Sequence, residues 1–149
     1  MERDGSLTSL DDLLFVSTMT LATVGSTGEP HAAPVYFATD SQLRFYFFSE
    51  STSQHTQDIQ YKSSAAAALY PECLDWQGIR GAQMRGIVQP VDPGGQWEAA
   101  WQLYKSKFPF VSELKEVVAR NQLHCFSPTW IRLIDNRRSF GFKQEWLLE

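Results

Sequence analysis

The chain has 149 residues, 43% of them hydrophobic and 20% charged, a composition typical of one globular domain and not of a disordered segment. Its formal net charge of -4 argues against nucleic acid as a partner, because binding to a phosphate backbone requires a basic face. The sequence shows no signal-type N-terminus and no apolar run approaching the roughly 20 residues of a membrane span, so we expect a cytoplasmic protein that does not bind membranes.

The apolar pattern along the chain predicts short strands joined by tight turns, with few helices. A short helix is expected to begin at Ser9, and aromatic residues at helical spacing predict an amphipathic helix over 96–108, followed by a second helix over 111–120. The predicted strands span 17–25, 31–39, 43–49, 65–70 and 78–91, with a closing hairpin over 129–147. The alanine-rich stretch 65–70 would also suit a helix, because alanine is the best helix former.

Pro34 lies inside one of these predicted strands. Since proline cannot donate a ladder hydrogen bond, Pro34 places its strand at a sheet edge or at a bulge. The loops between the strands are short, which favours antiparallel pairing and closure into a small barrel. We therefore predict a mainly β, α+β fold of about six strands and two or three flanking helices, in a single domain over residues 1–149.

Standard catalytic and metal-binding motifs are absent from the sequence. It contains no glycine-rich nucleotide loop and no nucleophile elbow. The three histidines, His31, His55 and His124, are dispersed and have no Cys, Asp or Glu at metal-ligand spacing, so we predict no metal site. No catalytic residue is identified, and a bound cofactor would have to supply any difficult chemistry.

The segment 49–55 combines hydroxyls with an imidazole where a strand leads into a predicted helix. Ser49, Ser53 and His55 supply hydrogen-bond donors, and a helix N-terminus attracts anions through its free amides and its dipole. This combination indicates a phosphate site. Serine and threonine also cap helices without binding a ligand, so on local evidence alone a simple helix cap is the stronger interpretation of the segment.

Two further segments suit a planar heteroaromatic ring. The gap in strand pairing around Pro34, Val35 and Tyr36 leaves backbone groups that can face the polar edge of a ring. Gln83 lies between Gly81 and Gly86, where the glycines permit close approach and the amide can meet a ring carbonyl or nitrogen. Gln83 would equally suit a solvated position on a strand.

In their order and spacing these segments resemble the FMN-binding split-barrel proteins related to pyridoxamine 5′-phosphate oxidase. The resemblance covers nearly the whole chain from Thr18 onward. Its motifs are His31–Phe37, the aromatic strand ending in Ser49, Ser53–His55, Arg80–Gly86 and Trp130–Trp146. It implies a six-stranded antiparallel Greek-key split barrel and a homodimer with FMN in clefts at the interface, for which an aromatic content of 13% is suitable.

The resemblance also implies which residues bind FMN. Ring contacts are implied for Pro34, Val35, Tyr36 and Gln83, phosphate contacts for Ser49, Ser53, Gln54 and His55, and closure of the site for Trp130 and Lys143 of the partner subunit. Gln54 stands where relatives often carry an arginine or lysine, and an amide binds phosphate less well than a guanidinium does. Either Arg80, Arg85 or Lys62 supplies the charge, or the affinity for phosphate is reduced.

Three functions are compatible with this resemblance. The first is an FMN-dependent oxidoreductase of unknown substrate, with a small molecule or a reduced nicotinamide as the other reactant. The second is a non-catalytic carrier of a flavin, a deazaflavin or haem, with His31, His55 or His124 as a candidate axial ligand. The third is a ligand-free dimeric scaffold. The arginine-rich C-terminal motif of true pyridoxamine-phosphate oxidases is not visible, so that activity is not predicted.

Overall fold

The computed structural model describes the backbone of residues 5–148 and the side chains of residues 7–148. Its strands are β1 (Thr18–Val24), β2 (Pro30–Tyr36), β3 (Ala38–Thr39), β4 (Phe45–Ser49), β5 (Ser64–Leu69), β6 (Arg80–Pro90), β7 (Gln122–Asp135) and β8 (Lys143–Leu147). Its α-helices are α1 (Gln54–Tyr61), α2 (Gly95–Lys107) and α3 (Lys115–Arg120), and 3₁₀ segments span Gly5–Leu13, Trp76–Gly78 and Pro109–Leu114.

All eight described strands belong to one antiparallel sheet in the order β2-β1-β5-β6-β7-β4-β3, with β8 also paired to β7. The sheet curls so far that Cα atoms of β2 lie within 8 Å of Cα atoms of β4. The two strands nevertheless form no hydrogen-bonded ladder. This open seam makes the fold a split barrel, which confirms the predicted fold class. Pro34 lies on β2, at the end of the sheet, as its missing amide donor predicts.

The structure describes eight strands where about six were expected, and one of the additional strands arises because the predicted strand over 31–39 is divided at Phe37. The Phe37 ring is fully buried and its amide donates to the Ser17 carbonyl at 3.2 Å. Beyond this point Ala38 and Thr39 pair with β4 and no longer with β1. The chain therefore passes at Phe37 from one end of the sheet to the other, and one predicted strand becomes two.

The longest pairing joins β6 to β7. β7 begins at Gln122, several residues before the predicted start at 129, because its first half pairs with β4. The β6–β7 register shifts between Arg85 and Gly86, and glycine inside a strand commonly marks such a bulge. A Cβ atom at Gly86 would lie 2.2 Å from the carbonyl oxygen of Ser127, so only glycine fits this close approach.

Apolar side chains fill the barrel interior, and α2 covers the opposite face of β3, β4 and β7. The fully or nearly fully buried core includes Met19, Leu21, Phe37, Phe45, Phe47, Met84, Phe126 and Ile131. On the other face, Trp97, Trp101 and Tyr104 of α2 contact Phe48 with ring centroids 5.1–6.3 Å apart. Many of the aromatic side chains thus pack a helix against the sheet. They are not available for the dimer interface that the aromatic content had suggested.

The helical expectations need two adjustments. The N-terminal segment is a 3₁₀ helix that already includes Ser9 in its interior, so Ser9 does not begin it. The predicted helix over 111–120 is a 3₁₀ segment followed by the short α3. The alanine-rich stretch forms strand β5, as predicted, and not the alternative helix, since it pairs with β1 and β6 on its two sides.

We predict that Gly86→Ala lowers the free energy of unfolding by about 1–3 kcal/mol, because the added methyl group must displace backbone atoms of β7. Urea denaturation followed by circular dichroism measures the change. The matched control is Gly95→Ala, at a position where nothing lies within 4 Å of the added atom, and its stability should equal or slightly exceed that of the wild type. Equal stability of the two variants would contradict the proposed packing at the bulge.

Candidate cofactor-binding site

Four polar side chains meet where β4 ends and α1 begins. The Ser49 hydroxyl lies 3.0 Å from Ser53 Oγ, 2.5 Å from His55 Nε2 and 2.7 Å from Thr56 Oγ1. Ser53 Oγ and Thr56 Oγ1 are 2.7 Å apart. The structure thus brings together Ser49, Ser53 and His55, and it adds Thr56, which sequence reasoning missed. We refer to these four residues as the hydroxyl–imidazole cluster.

The cluster surrounds the N-terminus of α1, which has no side-chain cap. Ser53 occupies the N-cap position in an extended conformation, but its hydroxyl makes no cap hydrogen bond. It donates to the carbonyl of Glu50 at 2.8 Å. The simple-cap interpretation of the segment therefore fails, and the first-turn amides of α1 are available to an anion together with the hydroxyls.

The imidazole of His55 is half-buried within the cluster. Burial lowers the pKa of His55, and the nearby Asp58 carboxylate only partly opposes this shift. The ring is therefore mainly neutral at pH 7 when no anion is bound. An anion next to Nε2 favours the charged form, so protonation of His55 and anion binding are coupled.

Gln54 does not belong to the cluster, contrary to the expected phosphate contact. Its side-chain amide donates to Asp58 Oδ1 at 2.8 Å, one helical turn further along α1. A spacing of four residues places both side chains on one side of the helix, away from His55. The side chain of Gln54 therefore positions α1 and does not reach a phosphate in the cluster, to which this residue can offer only its backbone amide.

The other cations considered for the phosphate are engaged elsewhere in the part of the chain that the structure describes. Arg80 pairs with Asp12 at 2.5 Å, and the guanidinium of Arg85 stacks 4.4 Å from the Trp130 ring centroid. Lys62 follows the opposite end of α1. Within one protomer, a charged His55 is the cation that this arrangement offers to an anion in the cluster.

Asp58 is a buried carboxylate that fastens α1 to β1 and β2. It is 2% exposed and accepts hydrogen bonds from Thr23 Oγ1 at 2.7 Å and from Gln54, while His31 Nδ1 lies 2.7 Å away. Burial opposes ionisation of Asp58, but the hydrogen bonds from Thr23, Gln54 and His31 outweigh it and lower the pKa. Four polar groups from three elements are satisfied together, so the carboxylate fixes the start of α1.

The residues predicted to flank the ring do not all point outward. Tyr36 is 52% exposed and Pro34 is exposed, but Val35 is 7% exposed and belongs to the barrel core. Side chains alternate between the two faces of a strand, so Val35 cannot present its side chain to a ligand beside Tyr36. A ring contact of Val35 would therefore have to come from its backbone.

Gln83 lies on the outer face of the barrel, far from Pro34 along the sheet. Cross-strand pairing connects Pro34 to Thr20, Thr20 to Ala68, and Ala68 to Gln83. Three strand spacings amount to about 14 Å along the sheet. Within one protomer the structure does not bring Gln83 to a ring held at Pro34.

Trp130 and Lys143 share this outer face with Gln83. The Trp130 ring has the guanidinium of Arg85 at 4.4 Å and that of Arg132 at 5.0 Å from its centroid. Lys143 is exposed and lies opposite Ile134, four residues along β7 from Trp130. Because both guanidinium groups already contact the indole, stacking of Trp130 on a flavin requires one of them to move.

The fold and the cluster together define a split-barrel protein in which hydroxyls and an imidazole surround an uncapped helix N-terminus beside the seam. The family model described as pyridoxamine 5′-phosphate oxidase matches residues 15–135, and the chain belongs to this family. Among curated proteins, none matches the sequence.

Solved structures confirm the fold at low sequence identity. A conserved hypothetical protein of Mycobacterium tuberculosis is 16% identical, with a TM-score of 0.77 over 92% of this chain and 89% of its own. HutZ, described as the haem storage protein of Vibrio cholerae, is 10% identical, with a TM-score of 0.70 over 99% and 95%. A pyridoxinephosphate oxidase family protein of Clostridium acetobutylicum is 12% identical, with a TM-score of 0.68 over 98% and 97%. Identities this low bear on the fold alone.

None of the described helices is long and apolar enough to span a membrane. Residues 7–148 contain no group of three or more His, Cys, Asp and Glu side chains arranged to hold a metal ion.

We predict that Asp58→Asn lowers the free energy of unfolding at pH 7 by about 2 kcal/mol, because the amide replaces a charged acceptor of three buried hydrogen bonds. Since the pKa of Asp58 is lowered from 3.8, the carboxylate contributes fully above that value and its contribution is lost as the pH falls through the lowered pKa. The stability difference from the wild type should therefore shrink below about pH 4.

Urea denaturation at pH 7, 5 and 3 measures this difference. Asp92→Asn, at an exposed position, is the matched control and should stay within about 0.5 kcal/mol of the wild type at each pH. The account would be contradicted if the free energy of unfolding of Asp58→Asn differed little from that of the wild type at pH 7, or if the difference grew as the pH fell. Either result would mean that the charge of Asp58 does not stabilise the position of α1.

Proposed function

We propose that the protein binds FMN, with the phosphate in the hydroxyl–imidazole cluster. The observation that carries this proposal is the convergence of Ser49, Ser53, His55 and Thr56 on an uncapped helix N-terminus. A phosphate accepts hydrogen bonds from hydroxyls, from an imidazolium and from backbone amides. This donor set fits a phosphate. Membership in the pyridoxamine 5′-phosphate oxidase family supports FMN as the molecule to which that phosphate belongs.

The isoalloxazine ring is proposed to lie along β2. This strand ends the sheet and its second edge faces the unpaired seam towards β4, so backbone amides and carbonyls of β2 can meet the polar edge of the ring. Pro34 and Tyr36 expose their side chains beside that edge. The phosphate cluster lies at the end of β4, on the other side of the same seam.

The complete site is proposed to form between two copies of the chain. Gln83, Trp130 and Lys143 lie on the outer face, and Gln83 is three strands removed from β2 in its own protomer. These residues contact a ring on β2 only if they come from a second copy. A homodimer with FMN at its interface therefore accounts for both halves of the predicted site.

We further propose that the protein is an FMN-dependent oxidoreductase. Bound FMN supplies hydride-transfer chemistry with a reduced nicotinamide or another small molecule as reactant. The chain's own residues then bind the phosphate and orient the ring, which agrees with the lack of a recognisable acid–base set. The free cysteines Cys73 and Cys125 suit a reducing compartment, and we place the protein in the cytoplasm.

The affinity for FMN is expected to rise by about tenfold between pH 8 and pH 6, because the phosphate favours a charged His55 whose pKa is otherwise lowered by burial. Titration of flavin fluorescence against protein concentration measures the dissociation constant at each pH. His55→Gln is the control: it keeps a hydrogen-bond donor but cannot become charged.

The dissociation constant of His55→Gln should therefore change little between these pH values, apart from the effect of the titration of the FMN phosphate itself. If the wild type and His55→Gln show the same pH dependence, His55 does not contact the phosphate. If neither binds FMN at any pH, the proposed function is wrong.

Haem is the second candidate ligand, and the environment of His31 favours it. His55 Nε2 is engaged by Ser49, and His124 is 3% exposed and stacked on Phe47. His31 is partly exposed, and its Nδ1 lies 2.7 Å from Asp58, which leaves Nε2 available. Histidines that ligate metals commonly have their second nitrogen bonded to a carboxylate, so His31 is the histidine best arranged to ligate a haem iron.

If haem binds in this way, adding haemin to the wild type produces a shifted and sharpened Soret band that His31→Gln abolishes. Glutamine at this position can still donate to Asp58, so the fold should be retained. His55→Gln is the control and should keep the wild-type spectrum. An unchanged haemin spectrum in the wild type, or equal spectra for both variants, excludes His31 as the ligand.

A further inference from the structure

A cavity of about 530 Å³ lies on the outer face of the sheet, next to strand β2. Its floor consists of outward-facing residues of β1 and β5, namely Thr18, Thr20 and Ala68. Thr18 pairs with Tyr36, and Thr20 pairs with Pro34. The floor therefore begins one strand spacing, about 5 Å, from the two residues beside which the flavin ring is proposed to lie. We refer to this space as the β2-side cavity.

The segment that joins β5 to β6 forms the wall of this cavity, and contacts within the chain hold the segment in place. Asn136 donates from Nδ2 to the Trp76 carbonyl and from its backbone amide to the Ile79 carbonyl, both at 2.8 Å. Gly81 lets β6 approach the end of β5 closely, because a Cβ atom there would lie 2.9 Å from the Leu69 carbonyl oxygen. The cavity is thus preformed, and its volume lies within the usual range of small-molecule sites.

The lining of the β2-side cavity combines hydroxyl groups with apolar surface. The side-chain hydroxyls of Thr18 and Thr20 form no hydrogen bond within residues 7–148, so both can donate to an acceptor on a ligand. Tyr70 and Ile79 are 69% and 46% exposed and supply aromatic and aliphatic surface at the wall. Because the floor is a sheet surface with small side chains, this lining suits a flat ring that carries a hydrogen-bond-accepting oxygen.

The charges around the cavity disfavour an anionic ligand. Arg80 lines it, but its guanidinium is paired with the Asp12 carboxylate at 2.5 Å and also donates to the Asp12 carbonyl. Glu72 adds an exposed carboxylate to the lining. A ligand with a carboxylate or phosphate would therefore meet negative charge and no unpaired cation among the lining residues. The cavity differs in this respect from the hydroxyl–imidazole cluster, which suits an anion.

We propose that the β2-side cavity binds the substrate that reacts with the flavin, and that this substrate is an uncharged planar molecule with a carbonyl-type acceptor. Its oxygen lies within reach of Thr18 and Thr20, and its ring lies on the floor between Tyr36 and Tyr70. This inference rests on the proposed function, because the cavity is a substrate site only beside a flavin ring held along β2. The second copy of the chain bounds the cavity on its open side, as it does the ring.

Calorimetric titration of the FMN-saturated protein with chromone and with chromone-2-carboxylate tests this proposal. The two probes share one planar ring system and one ring carbonyl, and they differ in the added carboxylate. Chromone is expected to bind about tenfold more tightly than chromone-2-carboxylate. Its binding should also change the visible spectrum of the bound flavin, because the two rings are neighbours. Equal affinities for the two probes, or chromone binding that leaves the flavin spectrum unchanged, would overturn the proposal.

Two variants connect the binding of chromone to this cavity. Thr20→Val removes one hydroxyl at nearly constant shape and should weaken chromone binding about fivefold. Thr20→Ser keeps the hydroxyl and is the matched control, which should bind chromone within about twofold of the wild type. Ala68→Leu fills the floor from an outward-facing position, and it should weaken both probes about tenfold while the circular dichroism spectrum stays that of the wild type.

Equal chromone affinities of Thr20→Val and Thr20→Ser, or an unchanged affinity in Ala68→Leu, would show that chromone binds elsewhere and that the inference is wrong. If chromone displaces FMN, the flavin ring itself occupies the cavity and the inference is again wrong. If Ala68→Leu converts a dimer to a monomer in light scattering and chromone does not bind to the wild type, the second copy fills the cavity, which also contradicts the inference.

Failure of this inference and failure of the proposed function give different results. A protein that binds FMN but not chromone would reject the inference and retain the proposed function. A protein that binds no FMN would reject the proposed function, and the role of the cavity as a substrate site would fall with it.

Discussion

Strand β7 pairs with three other strands, more than any other described strand does, and its ladder with β6 is bent. The first half of β7 pairs with β4 and the second half with β8, while β6 runs along both halves. The register shift at Gly86 bends this pair, and the contact of Gly86 with the Ser127 carbonyl leaves no room for a side chain. Because Ser49 pairs with Gln122 at the start of β7, the ladder between β4 and β7 determines where Ser49 lies and hence where the proposed phosphate site is.

A second constraint, the buried carboxylate of Asp58, positions α1 on this barrel. It receives hydrogen bonds from β1 and α1 and contacts His31 of β2. This contact set explains why residue 54 is glutamine: its amide serves Asp58, whereas an arginine there would add a positive charge beside His31. The side of α1 that carries His55 remains free for a ligand. The contacts that hold α1 on the barrel and the proposed ligand contacts thus lie on different sides of α1.

The sequence predicted those features that depend on neighbours along the chain. Strand alternation, the edge position of Pro34 and the grouping of Ser49, Ser53 and His55 all follow from local spacing. The division of a strand at Phe37 was not predictable, because it depends on pairing between segments distant in sequence. The inward direction of Val35 follows from strand alternation beside an outward-facing Tyr36.

The central claim is that a phosphate binds at the N-terminus of α1. Calorimetric titration of the purified protein with FMN and with riboflavin, which has the same ring but no phosphate, tests it most directly. We expect FMN to bind about a hundredfold more tightly than riboflavin, because its phosphate would be contacted by three hydroxyls, an imidazole and free amides. We also expect one FMN per chain. Equal affinities for the two flavins, or no binding of FMN, would contradict the account.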